Sequence, residues 1–211
     1  MGRTQEFGLN QATLSSFCVM IFGIIGAYGQ WKQARLIWSS RSARSVSILW
    51  ILTFLFMFLA YFLQGLNTGS ATLLIQGMLR AAFCLPILVG IIAFEYSKIS
   101  RKDVLFFVIL VTGMVIMVLV PDWRNLFFQL FGYLGVIMSI DQPYQIWKNK
   151  SRGKVSMTML ITFISAVSFW TWYAWIFEDM GLFWLSLSFV LVYLVTIVIW
   201  WIYSKDQKVN T

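Results

Sequence analysis

Arg80 is the residue whose position points most directly to chemistry. It lies in the apolar stretch 71–96, roughly 12 Å from one end of that stretch at about 1.5 Å of helical rise per residue. A charge at such depth in a membrane is costly unless it meets a cavity or a partner, and a guanidinium pairs well with carboxylate or phosphate. Two interpretations follow: Arg80 contacts an anionic group of a ligand, or it is an internal anchor bonded to carbonyls or to Gln64, Gln76 or Gln129.

An internal repeat defines a second set of candidate residues. The segment Phe22-Gly23-Ile24-Ile25-Gly26 returns as Phe131-Gly132-Tyr133-Leu134-Gly135, Gln33 returns as Gln142, and Val46-Ser47 returns as Val155-Ser156. The interval is 109 residues in every case. A constant interval over several positions indicates two copies of one structural unit.

The same interval pairs Lys32 with Asp141 and Arg80 with Phe189. Residues related by a pseudo-twofold axis tend to face each other, so Lys32 and Asp141 predict a salt bridge that closes one mouth of a pathway. The alternative is that Lys32 faces lipid headgroups. Asp141 is also the acidic residue that lies well inside a predicted span, and it is our candidate for proton coupling. Arg80 has no charged counterpart, so its charge is not a duplicated structural feature.

Enzymatic groups are scarce in this chain. It has no His and only two Cys, and Cys18 and Cys84 fall inside apolar stretches. Neither an acidic pair nor a nucleophile with a base lies in these stretches, so acid–base or nucleophilic catalysis has few candidates. We expect no enzyme, no cofactor and no metal site, since zinc and iron sites need His or Cys clusters.

The elements that position these residues are apolar segments of membrane-spanning length. The chain is 60% hydrophobic and 11% charged, whereas soluble domains are about one quarter charged. About 20 apolar residues cross the hydrocarbon as a helix, which predicts an all-α polytopic membrane protein with seven transmembrane helices. The predicted spans are 11–31, 47–66, 71–96, 104–120, 125–147, 157–177 and 181–203.

Basic residues predict the orientation. Of the 16 Lys and Arg, 13 follow the first, third, fifth and seventh spans, and only Arg3 and Arg124 lie on the opposite side. The excess of basic residues in short loops marks the cytoplasmic side. We therefore expect the N-terminus outside and the C-terminus in the cytoplasm, in a plasma membrane or bacterial inner membrane. Because lipid-length spans interrupt the basic groups, we expect a lipid bilayer as partner and no nucleic acid.

The repeat and the spans together predict a 3+1+3 arrangement. The first bundle covers 11–98, an inversion linker helix covers 103–120, and the second bundle covers 125–205. Since each copy contains three spans, the extra crossing is needed to start the second copy on the same side. The copies are then parallel repeats, an arrangement known in secondary transporters.

This layout and its doubled motif resemble the PQ-loop and SWEET transporter superfamily over roughly residues 15–205. The family motif is Pro-Gln near the end of the first helix of each bundle, then a basic loop and Val/Leu-Ser opening the next helix. Here the glutamines are Gln33 and Gln142; Lys32 and Asp141 replace the prolines, and Pro143 follows Gln142. The resemblance implies a gating or hinge role for Gln33, Gln142 and Pro143, together with Lys32 and Asp141.

A second resemblance, over residues 20–80, is to the small membrane domain at the start of some lipid A synthesis proteins. It rests on Arg44-Ser45-Val46-Ser47, Trp50, Ala60-Tyr61 and Ile75-Gln76-Gly77. It implies a lipid-linked or phosphorylated substrate.

The sequence therefore predicts a secondary transporter for a small polar solute that is anionic or zwitterionic. A more specific form of this hypothesis is a phosphate-bearing or lipid-linked solute. The predicted substrate contacts are Arg80, Gln76 and the repeat-related pair Tyr61 and Trp170; the alternative for Trp170 is an interfacial aromatic belt. A SWEET-like facilitator of neutral sugars and a non-transporting receptor of the same fold remain as alternatives. A monomer contains both bundles, and a homo-oligomer is compatible with the sequence.

Overall fold

The computed structural model describes residues 8, 10–43, 46–96, 99–150 and 157–206. Over these residues the chain is helical and contains no strand, which confirms the all-α prediction. The α-helices are α1 (Gln11–Ser40), α2 (Ile48–Thr68), α3 (Ala71–Glu95), α4 (Arg101–Leu119), α5 (Arg124–Asn149), α6 (Met157–Ile176) and α7 (Met180–Asp206), and a short 3-10 helix (Pro121–Trp123) precedes α5.

Five of the described helices are long and apolar enough to cross a membrane, namely α1, α2, α3, α4 and the part Met180–Tyr203 of α7. The apolar part of α6, Leu160–Ile176, is shorter than these five. The fifth predicted span coincides with α5, whose length includes Arg124, Asp141 and Lys148. These charges reduce the apolar character of α5, so the count of seven spans remains a proposal.

The first helix is longer than its predicted span of 11–31, because no Gly or Pro interrupts the polar continuation beyond Gln30. It ends at Ser40, and the next residue, Arg41, has a φ of 49°, in the left-handed region. The fifth helix ends in the same way before Lys150, which has a φ of 47°. Arg41 and Lys150 are separated by the repeat interval, so the two copies end their first helix with the same local geometry.

The turns that follow the second helix of each copy also match at this interval. Gly69 ends α2 with a φ of 69° and Ser70 caps α3 by accepting a hydrogen bond from the amide of Leu73. In the second copy Glu178 has a φ of 55°, and an oxygen of Asp179 accepts a hydrogen bond of 2.9 Å from the amide of Leu182. Ser and Asp are both effective N-caps, so the geometry repeats even where the residues differ.

The chain divides into two compact units, the described parts of Met1–Phe22 with Val136–Thr211, and Gly23–Gly135. In the first, the ring of Phe22 lies 5.0 Å from that of Phe169. In the second, the ring of Phe131 lies 6.3 Å from that of Phe56. Phe22 and Phe131 are equivalent residues of the repeat, and each packs on the second helix of the other copy. The division into bundles 11–98 and 125–205 with linker 103–120 stays a prediction.

Some sequence-based assignments fall outside the described residues. They are the closing motif Val155-Ser156 of the second copy, Arg44-Ser45 of the lipid A-like motif, and the basic residues Arg3, Lys98, Arg152, Lys154 and Lys208.

Candidate binding site

The unit Gly23–Gly135 contains a polar face formed by α1 and α3. Gln76, Arg80 and Cys84 follow one another at intervals of one helical turn on α3, and so share one face of that helix. Gly23 and Gly26 of α1 contact the side chains of Gln76 and Arg80 respectively. The contacts advance in the same direction along both helices, which therefore run parallel in this unit.

The two glycines form a notch that accepts the polar side chains of α3. A methyl group at Gly23 would overlap the carboxamide of Gln76, and one at Gly26 would overlap the guanidinium of Arg80. Small residues allow close approach between membrane helices. Here they also make room for one cation and one amide inside an apolar bundle.

The guanidinium of Arg80 lies over an aromatic ring. Its central carbon is 4.8 Å from the ring centroid of Phe58 on α2, and the side chain is half-buried. A cation in this position is stabilised by the ring quadrupole, by up to about 2 kcal/mol when it is desolvated. Phe58 and Gly26 carry no negative charge, so neither of these two contacts neutralises the guanidinium.

Two acidic residues of the same unit, Glu95 and Asp103, are bonded at helix ends. Oε1 of Glu95 accepts hydrogen bonds from the Ser42 hydroxyl and the Ala43 amide, at 3.2 Å and 3.3 Å. Asp103 forms a capping box with Ser100 at the start of α4. Both carboxylates line a cavity of about 270 Å³ beside the α1–α2 loop. Because both are bonded to neighbouring residues at helix ends, we assign them a structural role. We therefore place the candidate site at Arg80.

Gln30 completes the polar face and was not predicted from the sequence. Its Nε2 donates a hydrogen bond of 3.1 Å to the sulfur of Cys84. The side chain is only 8% exposed, and its Oε1 is buried without a hydrogen-bond partner among the described residues. Comparison of the two copies did not reveal it, because its counterpart is Ser139. The helical spacing from Gly23 and Gly26 was the available signal.

The structure also tests the anchor interpretation of Arg80. Arginine only donates hydrogen bonds, so an amide could hold it only through its oxygen. The Oε1 atoms of Gln64 and Gln129 accept no hydrogen bond within the described chain. These two glutamines therefore do not anchor Arg80. Gln76, which is 3% exposed, lies on the same face of α3 as Arg80 and remains a neighbour of its side chain.

Tyr61 lies behind this face rather than on it. Its ring centroid is 6.2 Å from that of Phe58 and 5.1 Å from that of Phe128, and it is 7% exposed. It supports the ring beneath Arg80. Its repeat counterpart Trp170 belongs to the other unit, where its ring meets that of Tyr173 edge-on at 5.4 Å.

The predicted gating residues are divided between the two units. Lys32 is exposed, and its Nζ lies 4.7 Å from the ring centroid of Tyr28; Gln33 is half-buried on the same helix. In the other unit Asp141 is exposed and Gln142 is half-buried, while Pro143 is buried inside α5. The salt bridge, the hinge and the proton-coupling role stay predictions.

The second copy has apolar packing where the first has the polar face. Leu185, Phe189 and Tyr193 occupy the positions of Gln76, Arg80 and Cys84. The rings of Phe189 and Tyr193 stack at 6.3 Å, and Leu185 is fully buried. The repeat therefore preserves the backbone geometry but not the chemistry of this face.

A methyl group at Gly26 is expected to weaken anion binding more than it affects folding. In Gly26→Ala the new carbon displaces the end of a flexible side chain, so the loss of stability should lie at the low end of about 1–3 kcal/mol and be offset in part by the helix propensity of alanine, about 1 kcal/mol. Moving the guanidinium should lower the affinity for inorganic phosphate or a short carboxylate about tenfold, because binding depends on donor placement. Isothermal titration and thermal unfolding would measure the two effects.

Gly29→Ala is the matched control, since a methyl group there meets no atom within 4 Å. Equal anion affinities in the two variants would show that the notch does not position Arg80.

Comparison with known proteins finds no family whose model matches this chain and no curated protein that matches it.

Proposed function

We propose that this protein is a secondary membrane transporter for a small polar solute, anionic or zwitterionic, including phosphate-bearing or lipid-linked molecules. The observation that carries the proposal is the placement of Arg80 inside the apolar helix α3, over Phe58 and against Gly26. Ionisable residues within membrane helices commonly mark substrate pathways. The candidate ligand contacts in this proposal are Arg80, Gln76 and Gln30.

The proposed architecture is seven spans arranged as two parallel three-helix repeats with α4 as the inversion linker. It is supported by five helices of spanning length and by the matched left-handed positions Arg41 and Lys150, and Gly69 and Glu178. The reciprocal packing of Phe22 and Phe131 supports it as well. Alternating access by these halves, with the basic loops in the cytoplasm, is the transport mode that we propose.

Uptake into sealed proteoliposomes tests the proposal. We expect the purified protein to accumulate a labelled small anion, such as phosphate or succinate, above protein-free vesicles and to saturate with concentration. Glucose uptake without anion uptake would favour the neutral-sugar facilitator. Anion binding in detergent without uptake would favour a receptor.

The same vesicles test Asp141 as the proton-coupling residue. If protons drive transport through this carboxylate, the wild-type rate depends on pH and the Asp141→Asn rate does not. A wild-type rate that is independent of pH would rule out this role.

A further inference from the structure

We infer that Gln30 is a specificity-determining residue, and that the site selects small anions that carry their own N–H or O–H donor. In this arrangement Arg80 binds the anionic group and Oε1 of Gln30 accepts the hydrogen bond from the neighbouring donor. The inference rests on the proposed function, since it concerns the ligand bound at Arg80.

The hydrogen bond to Cys84 defines the direction of the Gln30 amide. Its nitrogen donates one of its two N–H groups to the sulfur of Cys84, and its oxygen remains as an acceptor. That oxygen is buried without a hydrogen bond among the described residues. An unsatisfied buried acceptor is destabilising, and a ligand donor would remove this cost.

The distance between Arg80 and Gln30 limits the size of a ligand that contacts both. Gly26, which touches the guanidinium, and Gln30 are one turn apart on α1, as Arg80 and Cys84 are on α3. One turn rises about 5.4 Å, and hydrogen bonds of about 2.9 Å occupy part of the space. The ligand's donor must therefore lie only a few bonds from its anionic oxygens, as in a hydroxy acid, an amino acid or a phosphate beside a hydroxyl.

The second copy keeps the two glycines but lacks Arg80, Cys84 and Gln30. Phe189, Tyr193 and Ser139 occupy the positions of Arg80, Cys84 and Gln30. Arg80, Cys84 and Gln30 are therefore not required for the equivalent helices to form, because phenylalanine, tyrosine and serine stand at these positions in the second copy.

The test compares pairs of carboxylates that differ by one hydroxyl group. Lactate against propionate, and 3-hydroxybutyrate against butyrate, keep the charge and vary only the donor. Their affinities for the detergent-solubilised full chain would be measured by titration. We expect the wild type to bind the hydroxy acid at least about tenfold more tightly, because a site with a buried acceptor discriminates against a ligand that leaves it unpaired.

Gln30→Leu removes the acceptor and should bring each ratio of affinities close to one. Gln30→Met, which is unbranched and similar in length, serves if the leucine variant does not fold. Gln129→Leu is the matched control, because it replaces another buried amide of the same unit that makes no hydrogen bond within the described chain; it should leave the ratio unchanged.

The outcomes separate this inference from the proposed function. Anion binding without a preference for the hydroxy acid, or a preference that survives in Gln30→Leu, overturns the inference and leaves the Arg80 site intact. A wild-type preference for the donor-free acid means that the amide N–H faces the ligand, which also overturns it. If none of the four probes binds, the Arg80 site and the inference fall together.

Discussion

Replacing Arg80 with glutamine is expected to lower the affinity for carboxylate and phosphate ligands by about 100-fold or more. A charge-assisted bidentate contact is roughly twice as strong as a neutral hydrogen bond, and loss of a desolvated charged partner costs about 2–5 kcal/mol. The stability of the folded state without ligand should change little, because the substitution removes both the contact of the guanidinium with Phe58 and the desolvation cost of a half-buried charge. Titration and thermal unfolding of the same samples would measure both.

Two further variants test whether the effect depends on the guanidinium of Arg80 in particular. Arg80→Lys keeps the charge but not the planar fork, so its affinity should lie between those of the wild type and the glutamine variant. Arg124→Gln removes a guanidinium that instead donates to the carbonyls of Met117 and Val118, at 3.1 Å and 3.2 Å. It should lower stability and leave ligand affinity unchanged. Equal ligand affinities in the wild type and Arg80→Gln would show that Arg80 does not bind the ligand.

The second large effect is expected at Gly77, where α2 and α3 pack most closely. A methyl group there would come within 2.6 Å of the carbonyl oxygen of Phe58 and 2.8 Å of the Cα of Phe62. Both are backbone atoms, so Gly77→Ala forces the helices apart. We expect a loss of about 1–3 kcal/mol or more, which for a chain of this size lowers the melting temperature by about 2–4 °C per kcal/mol.

Gly29→Ala is again the control, because its site is open. Alanine favours the helix over glycine by about 1 kcal/mol, so this variant should be neutral or stabilised. A normal melting temperature for Gly77→Ala would mean that α2 and α3 can separate without cost. Because Phe58 would move with its backbone, anion binding should weaken in the same variant.

The apolar stretches predicted the helices well, since the bounds of α2, α3 and α4 lie within about three residues of the predicted spans. Arg80 and Gln76 were also accessible to sequence reasoning, because a charge in an apolar stretch and its neighbour one turn away stand out in any helical projection. The length of α1 was not accessible to sequence reasoning, because its last turns are polar and hydrophobicity alone does not mark where they end.

The partners of Arg80 could not be predicted from the sequence. Phe58 is one of several aromatic residues on α2, and nothing in its local pattern distinguishes it from Phe54 or Phe56. Gly26 was identified through the repeat, but the repeat indicated helix packing and not a notch for a guanidinium. Gln30 has no identical counterpart, and its role depends on which face of α1 meets α3. These are tertiary relationships, which a periodic pattern of single residues does not contain.

The replacement of Arg80 by Phe189 at the equivalent position has a consequence for how such a chain can arise. A symmetric dimer of one three-helix unit must place either two guanidiniums in the hydrocarbon or none, because both subunits share one gene. Joining the copies in a single polypeptide releases them from that identity. One half can then keep an aromatic core that contributes stability, while the other half carries a single cation, which recognises the ligand in the function that we propose.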